Sequence, residues 1–422
     1  MWPRLVASKI LRKRLGSNNF VADFPINSIE SSLHDKSLFN SWTKCGTGMD
    51  DLAAVETQKY KIFVSTWNVG GVAPSDSTSL EELLDISNTS CDIYVLGFQE
   101  VVPLKASNVL GSENNRNTMK WNSLIREALN KKTASQQRNE TKDRKSVGSN
   151  TSAPEEFRCI ISKQMVGILI SVWIRNDLRP YIQNPNVSCV GCGIVGCLGN
   201  KGSVSVRFLL HETSFCFVCT HLASGGREGD ERRRNSNVAD ILSRTGFSRG
   251  TSLDLPRKIL DHDRIIVLGD LNYRISLPEV ETRLLIDKGE WNTLLQNDQL
   301  KMELADGQVF KGWQEGTIDF APTYKYYPNS NDYFGGVEGI KVKKKRAPAW
   351  CDRIIWFGMG INQHLYTRGE TNLSDHRPVK AVFSTEVRVS RRLKGLTSFY
   401  RSERFELGFR RRLDMSIGGS SF

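Results

Sequence analysis

The sequence predicts an α/β domain built as a sandwich of two β-sheets with helices on the outside. Short runs rich in β-branched and aromatic residues recur between residues 61 and 387, separated by helical or loop segments. These runs dominate the alternation, which favours two packed sheets over one parallel sheet with a helix after every strand. The 422 residues are 39% apolar and 25% charged, as is typical of soluble globular proteins that bury a sizeable core.

The pattern predicts eight strands and four helices. In chain order the strands are KIFVSTWNV, CDIYVLGFQE, QMVGILISVWI, GSVSVRFLL, SFCFVCTHL, DRIIVLGDLNY, WCDRIIWF and PVKAVFSTEV. The helices are SLEELLDI, MKWNSLIREALNKK, GDERRRNSNVADILSR and the long segment PEVETRLLIDKGEWNTLLQNDQLKMEL.

Three segments depart from this pattern and set the expected domain limits around a catalytic domain at 59–387. Residues 1–58 form a polar and basic extension, expected to be partly disordered; its start lacks the apolar centre of a secretion signal, and a mitochondrial presequence is the alternative. Residues 130–154 have almost no large apolar side chains, which predicts a disordered insertion within the domain. Residues 388–422 form a basic tail with interleaved aromatic residues, which fits either contact with an anionic membrane or a solvated tail.

Charge and cysteine content limit the partners and the compartment. The net charge of +12 predicts an anionic partner, whether nucleic acid, an acidic membrane or a phosphorylated small molecule. Nine cysteines without an export signal predict reduced thiols and a cytoplasmic protein, with a peripheral membrane location or the nucleus as further options. Structural zinc is disfavoured because Cys216 and Cys219 would point to opposite faces of a strand.

Polar side chains stand at the ends of four predicted strands, where apolar strands do not otherwise need them. Strand ends along one rim of a sheet are places where side chains from distant parts of a sequence meet. A fifth element, SDHRPV, supplies two more polar groups just before the last strand. The residues are Asn68, Gln99, Glu100, His221, Asp270, Asn272, Asp375 and His376.

This set suits the hydrolysis of a phosphate ester. Glu100 and Asn68 offer the oxygen ligands that Mg²⁺ prefers, and the cation would polarise the phosphoryl oxygens. Asp270 and Asn272, two apart on a strand, are expected to face the same side and to share the activation of water.

Two histidines complete the predicted hydrolytic set. His221 and His376 are expected to donate to the phosphoryl oxygens. Asp375, adjacent to His376 in sequence, is expected to hold that imidazole in the right tautomer and orientation.

The motifs TWNVGG, GFQEVVPL, GNKGSVSVRF, CTHLASG, GDLNYRI, PTYKYYP, RAPAWCDRIIW and SDHRPV occur in this order. Together they resemble the catalytic domain of inositol-polyphosphate 5-phosphatases, most closely the plant members, from about residue 60 to residue 387. The resemblance implies the αββα sandwich of the endonuclease/exonuclease/phosphatase fold and a Mg²⁺ cofactor. It also implies that Asn68 and Glu100 bind Mg²⁺, that Asp270 activates water with Asn272 beside it, and that His221, Asp375 and His376 face the phosphate.

The same resemblance implies how a second phosphate is recognised. A Tyr-Lys pair and a Lys-X-Arg element of the family correspond to Tyr324, Lys325, Lys344 and Arg346. Lys201 in GNKG is a further expected phosphate contact, because flanking glycines permit a close approach. Two other arginines in family motifs, Arg274 and Arg353, are either substrate contacts or members of structural ion pairs.

The expected activity is therefore release of the 5-phosphate from phosphatidylinositol 4,5-bisphosphate, from soluble inositol polyphosphates such as inositol 1,4,5-trisphosphate, or from both. A nuclease or sphingomyelin-cleaving enzyme of the same superfamily is the alternative enzyme, although PTYKYYP and RAPAWCDRIIW are not nuclease motifs and nucleic acid is a disfavoured partner. An inactive phosphoinositide-binding module is the alternative from another class. Such a module should have lost part of the hydrolytic set, and none of that set is missing here.

Overall fold

The structure is a computed structural model that describes residues 19–24 and 56–389. Gaps within the second range fall at 76–77, 85, 87–89, 112, 132–155, 194–195, 250–254, 308 and 336–345. Most of the predicted insertion, most of the N-terminal extension and nearly all of the C-terminal tail therefore lie outside the described residues.

The strands of the described residues form two six-stranded mixed sheets, with orders β11-β12-β1-β2-β4-β3 and β5-β6-β7-β8-β10-β9. The strands are β1 (Glu56–Asn68), β2 (Ile93–Gln99), β3 (Phe157–Met165), β4 (Ile168–Arg175), β5 (Ile182–Gly191), β6 (Gly202–Leu210), β7 (Thr213–His221), β8 (Arg264–Asp270), β9 (Gln314–Glu315), β10 (Asp352–Phe357), β11 (Ile361–Arg368) and β12 (Val379–Val389).

Seven α-helices lie among the described residues, with short 3-10 helices at Asn176–Tyr181 and Ile259–Asp261. They are α1 (Glu81–Leu84), α2 (Ala106–Leu110), α3 (Arg116–Asn130), α4 (Asp230–Arg244), α5 (Glu279–Asp287), α6 (Trp291–Gln296) and α7 (Gln299–Asp306). None of them is long and apolar enough to cross a bilayer.

Packing of the two sheets creates the main core, and helices cover the outer faces. Val64 and Leu268, from different sheets, belong to the apolar cluster between them. Trp121 and Ile125, four residues apart on α3, are buried against the outer face of the first sheet. Val238 of α4 is likewise buried against the outer face of the second. The predicted four-layer αββα sandwich is confirmed.

Strand register brings the polar strand ends to one rim. β1 and β2 are parallel with Asn68 opposite Gln99, and β7 and β8 are parallel with His221 opposite Asp270. β10 runs antiparallel to β8, which sets its first residue, Asp352, opposite Asp270. The carboxyl ends of four strands and the amino end of a fifth thus meet at one edge of the sandwich.

Two predicted elements divide into shorter ones, and β5, β9, β11 and the short helix α2 were not predicted. QMVGILISVWI forms a hairpin, in which Val166 (φ 53°) and Gly167 turn the chain between β3 and β4. The single long helix is three helices. Gly289, at φ 69°, lies between the first two, and the Asp298 side chain caps the start of the third by accepting from the Lys301 N–H at 3.0 Å.

Residues 19–24 add a short strand-like segment to the free edge of β3, which the sequence pattern did not indicate. Val21 and Ser162 exchange backbone hydrogen bonds of 2.8 and 2.9 Å. The Asp23 carboxylate accepts from the Arg126 guanidinium at 2.5 Å and from the Cys159 N–H at 2.8 Å. Part of the N-terminal extension therefore covers a sheet edge that would otherwise expose unpaired backbone groups.

Candidate active site

Asp270 lies at the centre of the polar rim and is almost completely buried. Asn68 Nδ2 donates to Asp270 Oδ2 at 3.0 Å, and His221 Nε2 lies 3.1 Å from the same oxygen. Glu100 Oε1 is 3.5 Å from Asn68 Nδ2 and 3.8 Å from His221 Nε2. Three residues predicted at the ends of other strands, Asn68, Glu100 and His221, are thus brought together near the Asp270 carboxylate.

Cations keep Asp270 ionised despite its burial. Burial alone would raise the pKa of Asp270, but the charges of His221, His376 and Lys201 and a hydrogen bond from His221 lower it well below its usual range. Burial lowers the pKa of Lys201 to about 8. The Lys201 ammonium also contacts His221 Nε2, so Asp270 and Lys201 compete for this nitrogen as hydrogen-bond partners.

Asp352, and not Asp375, orients His376. His376 Nδ1 lies 2.8 Å from Asp352 Oδ2, an oxygen that also accepts from Thr323 Oγ1 at 2.7 Å. Nε2 of His376 is left facing the centre, 4.0 Å from Asp270 Oδ2. The expectation that Asp375 holds His376 was wrong, because the Asp375 carboxylate pairs with Lys325 while Asp352 binds His376.

The bond to Asp352 also sets the charge of His376. Burial alone would lower the pKa of His376, but the charge and hydrogen bond of Asp352, with the charges of Asp270 and Asp375, raise it to about 9. At neutral pH this imidazole is therefore protonated and can donate Nε2–H into the centre.

Asp375 is paired with Lys325. Their side chains form an ion pair of 2.5 Å between Oδ2 and Nζ, and both are partly exposed. The Asp375 carbonyl accepts from the Tyr326 N–H at 2.9 Å, so the two chain segments lie side by side. Asp375, predicted to belong to the hydrolytic set, and Lys325, predicted to bind substrate, thus neutralise each other's charge at the edge of the centre.

Asn272 does not share a strand face with Asp270, as had been expected. β8 ends at Asp270, and Asn272 has a left-handed backbone with φ 57°. Its amide nitrogen donates to the Leu222 carbonyl at 3.2 Å, and its amide oxygen accepts from Arg274 Nη2 at 2.6 Å. Asn272 supports Asp270 through its backbone N–H, which donates to Asp270 Oδ1 at 3.1 Å.

Tyr324 joins the predicted phosphate-binding residues to the hydrolytic centre. Its ring centroid lies 4.5 Å from that of His376, 4.5 Å from the Arg274 guanidinium carbon and 5.3 Å from Lys325 Nζ. Arg346 is half-buried, and its carbonyl accepts from Arg283 of α5 at 3.1 Å. Lys344 lies outside the described residues.

The donor set fits a hard divalent cation. Glu100 and Asp270 offer carboxylate oxygens on either side of the Asn68 amide. The nitrogen of this amide now faces both carboxylates, so the amide must rotate for its oxygen to bind a cation there. Asp270, Asp352 and His376 also place ligand atoms within 4.8 Å of one another. Glu100, which is partly exposed, and the buried Asn68 are the oxygen donors that the sequence indicated for a cation.

The sequence reasoning missed two residues that shape this centre. Asp352 stood within the motif RAPAWCDRIIW, and its signal was that it is a carboxylate inside the predicted and otherwise mainly apolar strand WCDRIIWF. Ser374, whose hydroxyl donates to the Asn68 carbonyl at 2.6 Å, gave no signal in the pattern. Arg353, left open between two roles, forms a fully buried ion pair with Asp298 and Glu315.

A buried ionised carboxylate beside an imidazolium, an ammonium and an oxygen-rich cation site can orient water against a phosphoryl group. The same cations can offset the charge that develops on the phosphoryl oxygens. This arrangement supports the hydrolysis of phosphate esters.

Comparison with known proteins agrees with this chemistry. The sequence profile of endonuclease/exonuclease/phosphatase family 2 matches residues 65–382. The type IV inositol polyphosphate 5-phosphatase 9 of Arabidopsis thaliana is 63% identical to this chain over 96% of each sequence. The type I inositol polyphosphate 5-phosphatase 8 of the same plant is 46% identical over 92% of this chain and 86% of its own.

A solved structure is similar in fold as well as sequence. It is the inositol polyphosphate 5-phosphatase domain of SPsynaptojanin in complex with inositol (1,4)-bisphosphate and calcium ion. The alignment covers 93% of this chain and 99% of that chain, with 29% identity and a TM-score of 0.66.

Proposed function

The chain belongs to the plant inositol polyphosphate 5-phosphatases, and on this premise we propose that it removes the 5-phosphate of phosphatidylinositol 4,5-bisphosphate, of inositol 1,4,5-trisphosphate, or of both. As a member of this family it is a phosphatase that depends on a divalent metal.

One observation supports an inositol substrate with neighbouring phosphates. The Tyr324 ring lies against His376 of the hydrolytic centre, and Lys325 Nζ lies 5.3 Å from the centroid of the same ring. A scissile phosphate beside His376 would therefore place an adjacent phosphate of a six-membered ring within reach of Tyr324 and Lys325. Lys325 would exchange its ion pair with Asp375 for the phosphate.

In the proposed reaction the ionised Asp270 orients the attacking water and accepts its proton as the water oxygen bonds to phosphorus. The bond from phosphorus to the inositol 5-oxygen breaks, and this oxygen leaves as a hydroxyl group after taking a proton from solvent. The protonated His376 donates to the phosphoryl oxygens, while Asp352 fixes its orientation. His221 also lies beside Asp270 and is in contact with Lys201, so both side chains can bind the same phosphate. Asn272 holds Asp270 from behind through its backbone N–H.

We propose Mg²⁺ as the metal, held by Glu100 and Asn68. Oxygen ligands, a single dedicated carboxylate and partial solvent access at Glu100 are the features that suit this ion. The cation would supply Lewis-acid polarisation of the phosphoryl group.

We further propose that the basic tail, 388–422, brings the enzyme to the cytoplasmic face of anionic membranes. Its nine basic residues and interleaved aromatic side chains support this location. Removing the tail should then lower activity on liposomes but not on soluble substrates.

The test is an assay of phosphate release by the purified full chain with Mg²⁺. Inositol 1,4,5-trisphosphate, its 1,4-bisphosphate product and liposomes containing phosphatidylinositol 4,5-bisphosphate are compared. Release from the first or third, none from the second, and loss of release in Asp270→Asn are expected. Cleavage of abasic DNA without any release from inositol substrates would overturn the proposal.

A further inference from the structure

One amide oxygen links the two loops that follow His221 at the end of β7 and Asp270 at the end of β8. Gln299, the first residue of α7, accepts at Oε1 from the Arg274 backbone N–H at 2.8 Å and from Arg234 Nη2 at 2.6 Å. Its own N–H donates to the Arg274 carbonyl at 2.9 Å. Gln299 thus holds the backbone of Arg274 on both sides.

The first link leads to the loop after β8. Arg274 donates from Nη2 to Asn272 Oδ1 at 2.6 Å and from Nε to the Asn272 carbonyl at 3.1 Å. Asn272 in turn donates its N–H to Asp270 Oδ1. The position of Arg274 therefore bears on the proposed base through one intervening residue.

The second link leads to the loop after β7, which follows His221. Arg234 of α4 is completely buried, and its Nη1 donates to the Gly225 carbonyl at 3.1 Å while Nη2 binds Gln299. Among the described residues, Gly225 and Gln299 are the hydrogen-bond acceptors of this guanidinium, and its Nε has no partner there. A buried guanidinium fixed in this way holds the loop at a set distance from α7.

Asp298, which precedes Gln299 in the sequence, connects a third element, β10, to the start of α7. Its carboxylate binds Arg353 Nη1 at 2.9 and 3.0 Å, and Arg353 follows Asp352 in β10. The start of α7 thereby connects three segments that hold His221, Asp270 and Asp352.

We infer that Gln299 is a positioning residue of the active site, which sets the relative placement of the β7 and β8 loops through Oε1. Gln299 touches no reacting group and acts only by placing the residues that do. Because misplaced catalytic residues weaken interactions made in the transition state, a substitution of Gln299 should change kcat more than KM. The inference rests on the proposed hydrolysis at Asp270.

Gln299→Met keeps the length of the side chain and removes the acceptor, whereas Gln299→Glu keeps an oxygen at the position of Oε1. We expect kcat to fall about 10- to 100-fold in Gln299→Met, with KM within about threefold of wild type, and to recover in Gln299→Glu. Gln296→Met, an exposed position on α6, is the matched control and should match wild type.

A second readout does not depend on activity. Hydrogen exchange of the Arg274 amide should speed up in Gln299→Met and stay slow in Gln299→Glu, because only the latter retains the acceptor. If Gln299→Met does not fold, Arg234→Met removes the other half of the link and should lower kcat in the same way.

Two results would overturn the inference: a folded Gln299→Met whose kcat is within threefold of wild type, or a Gln299→Glu that is as impaired as Gln299→Met. A merely structural role would lower the melting temperature and leave kcat unchanged at assay temperature. The comparison uses whichever phosphate ester the wild type hydrolyses fastest, so a wrong substrate would count against the proposed function and not against this one.

Discussion

Asp352 Oδ2 and His376 Nδ1 lie 2.8 Å apart although 24 residues separate them in the sequence. β10 supplies the aspartate and the segment before β12 supplies the histidine. The pair directs Nε2 of the imidazole toward Asp270 and keeps the ring protonated at neutral pH.

Asp352→Asn should lower kcat by about 10- to 100-fold at neutral pH, since residues that orient a functional group typically matter to this extent. The pKa of His376 is raised to about 9, so its protonated form is present below that pH and is lost as pH rises through it. The substitution removes the charge that sustains this pKa. The alkaline limit of activity should therefore move to lower pH, as measured by a kcat–pH profile. An unchanged profile, with exposed Asp319→Asn as control, would contradict the assigned pair.

Glu100→Gln should weaken Mg²⁺ binding at least about tenfold, because it removes the carboxylate that serves the cation. Titration calorimetry of the purified protein measures this directly. Glu82→Gln, on the surface of α1, should bind Mg²⁺ as wild type does. Unaltered affinity in Glu100→Gln would instead place the ion on Asp270, Asp352 and His376.

Lys325→Met should lower kcat/KM for inositol 1,4,5-trisphosphate by about 10- to 100-fold, since a hydrogen bond between charged groups contributes about 1.5–3 kcal/mol. A 5-phosphorylated inositol without the 4-phosphate should show a much smaller loss. Steady-state kinetics on both substrates give the ratio, and exposed Lys288→Met should leave it unchanged. Equal losses on the two substrates would exclude Lys325 as the residue that recognises the adjacent phosphate.

Asp23→Asn should lower the free energy of unfolding by about 1–2 kcal/mol, because it weakens a partly exposed ion pair and a backbone hydrogen bond at once. Urea denaturation measures the change. Asp287→Asn, an exposed position on α5, should change the free energy by less than about 0.5 kcal/mol. Identical stability of the two variants would show that residues 19–24 do not hold the β3 edge in solution.

Arg353→Met should lower the free energy of unfolding by about 3–5 kcal/mol, because it leaves the carboxylates of Asp298 and Glu315 buried without a partner. The denaturation midpoint should fall accordingly. Arg232→Met, at a guanidinium that is 88% exposed, is the control for loss of an arginine and should be nearly neutral. A small effect of Arg353→Met would mean that these carboxylates find other partners or take up protons.

The sequence by itself determined the fold class, the rim and most of the residues on it. Strands that consist of an apolar run with a polar residue at the end were identified correctly, because this pattern is formed by residues that are adjacent in the sequence. His221 and Asp270, for example, could be assigned to one rim since they end strands of the same kind. The edge strands β5 and β11 were missed because their mixed burial gives no clean apolar run, and β9 was missed because two polar residues give no pattern.

The tertiary structure decided which side chains act on one another. Asp375 is next to His376 in sequence yet binds Lys325, while Asp352 reaches His376 from another strand. Gln299 serves Arg274 and Arg234 through one oxygen, although nothing in NDQL indicates it. Such pairings depend on strand register and on the direction of each side chain, which arise only when distant segments pack together, and a linear pattern carries neither.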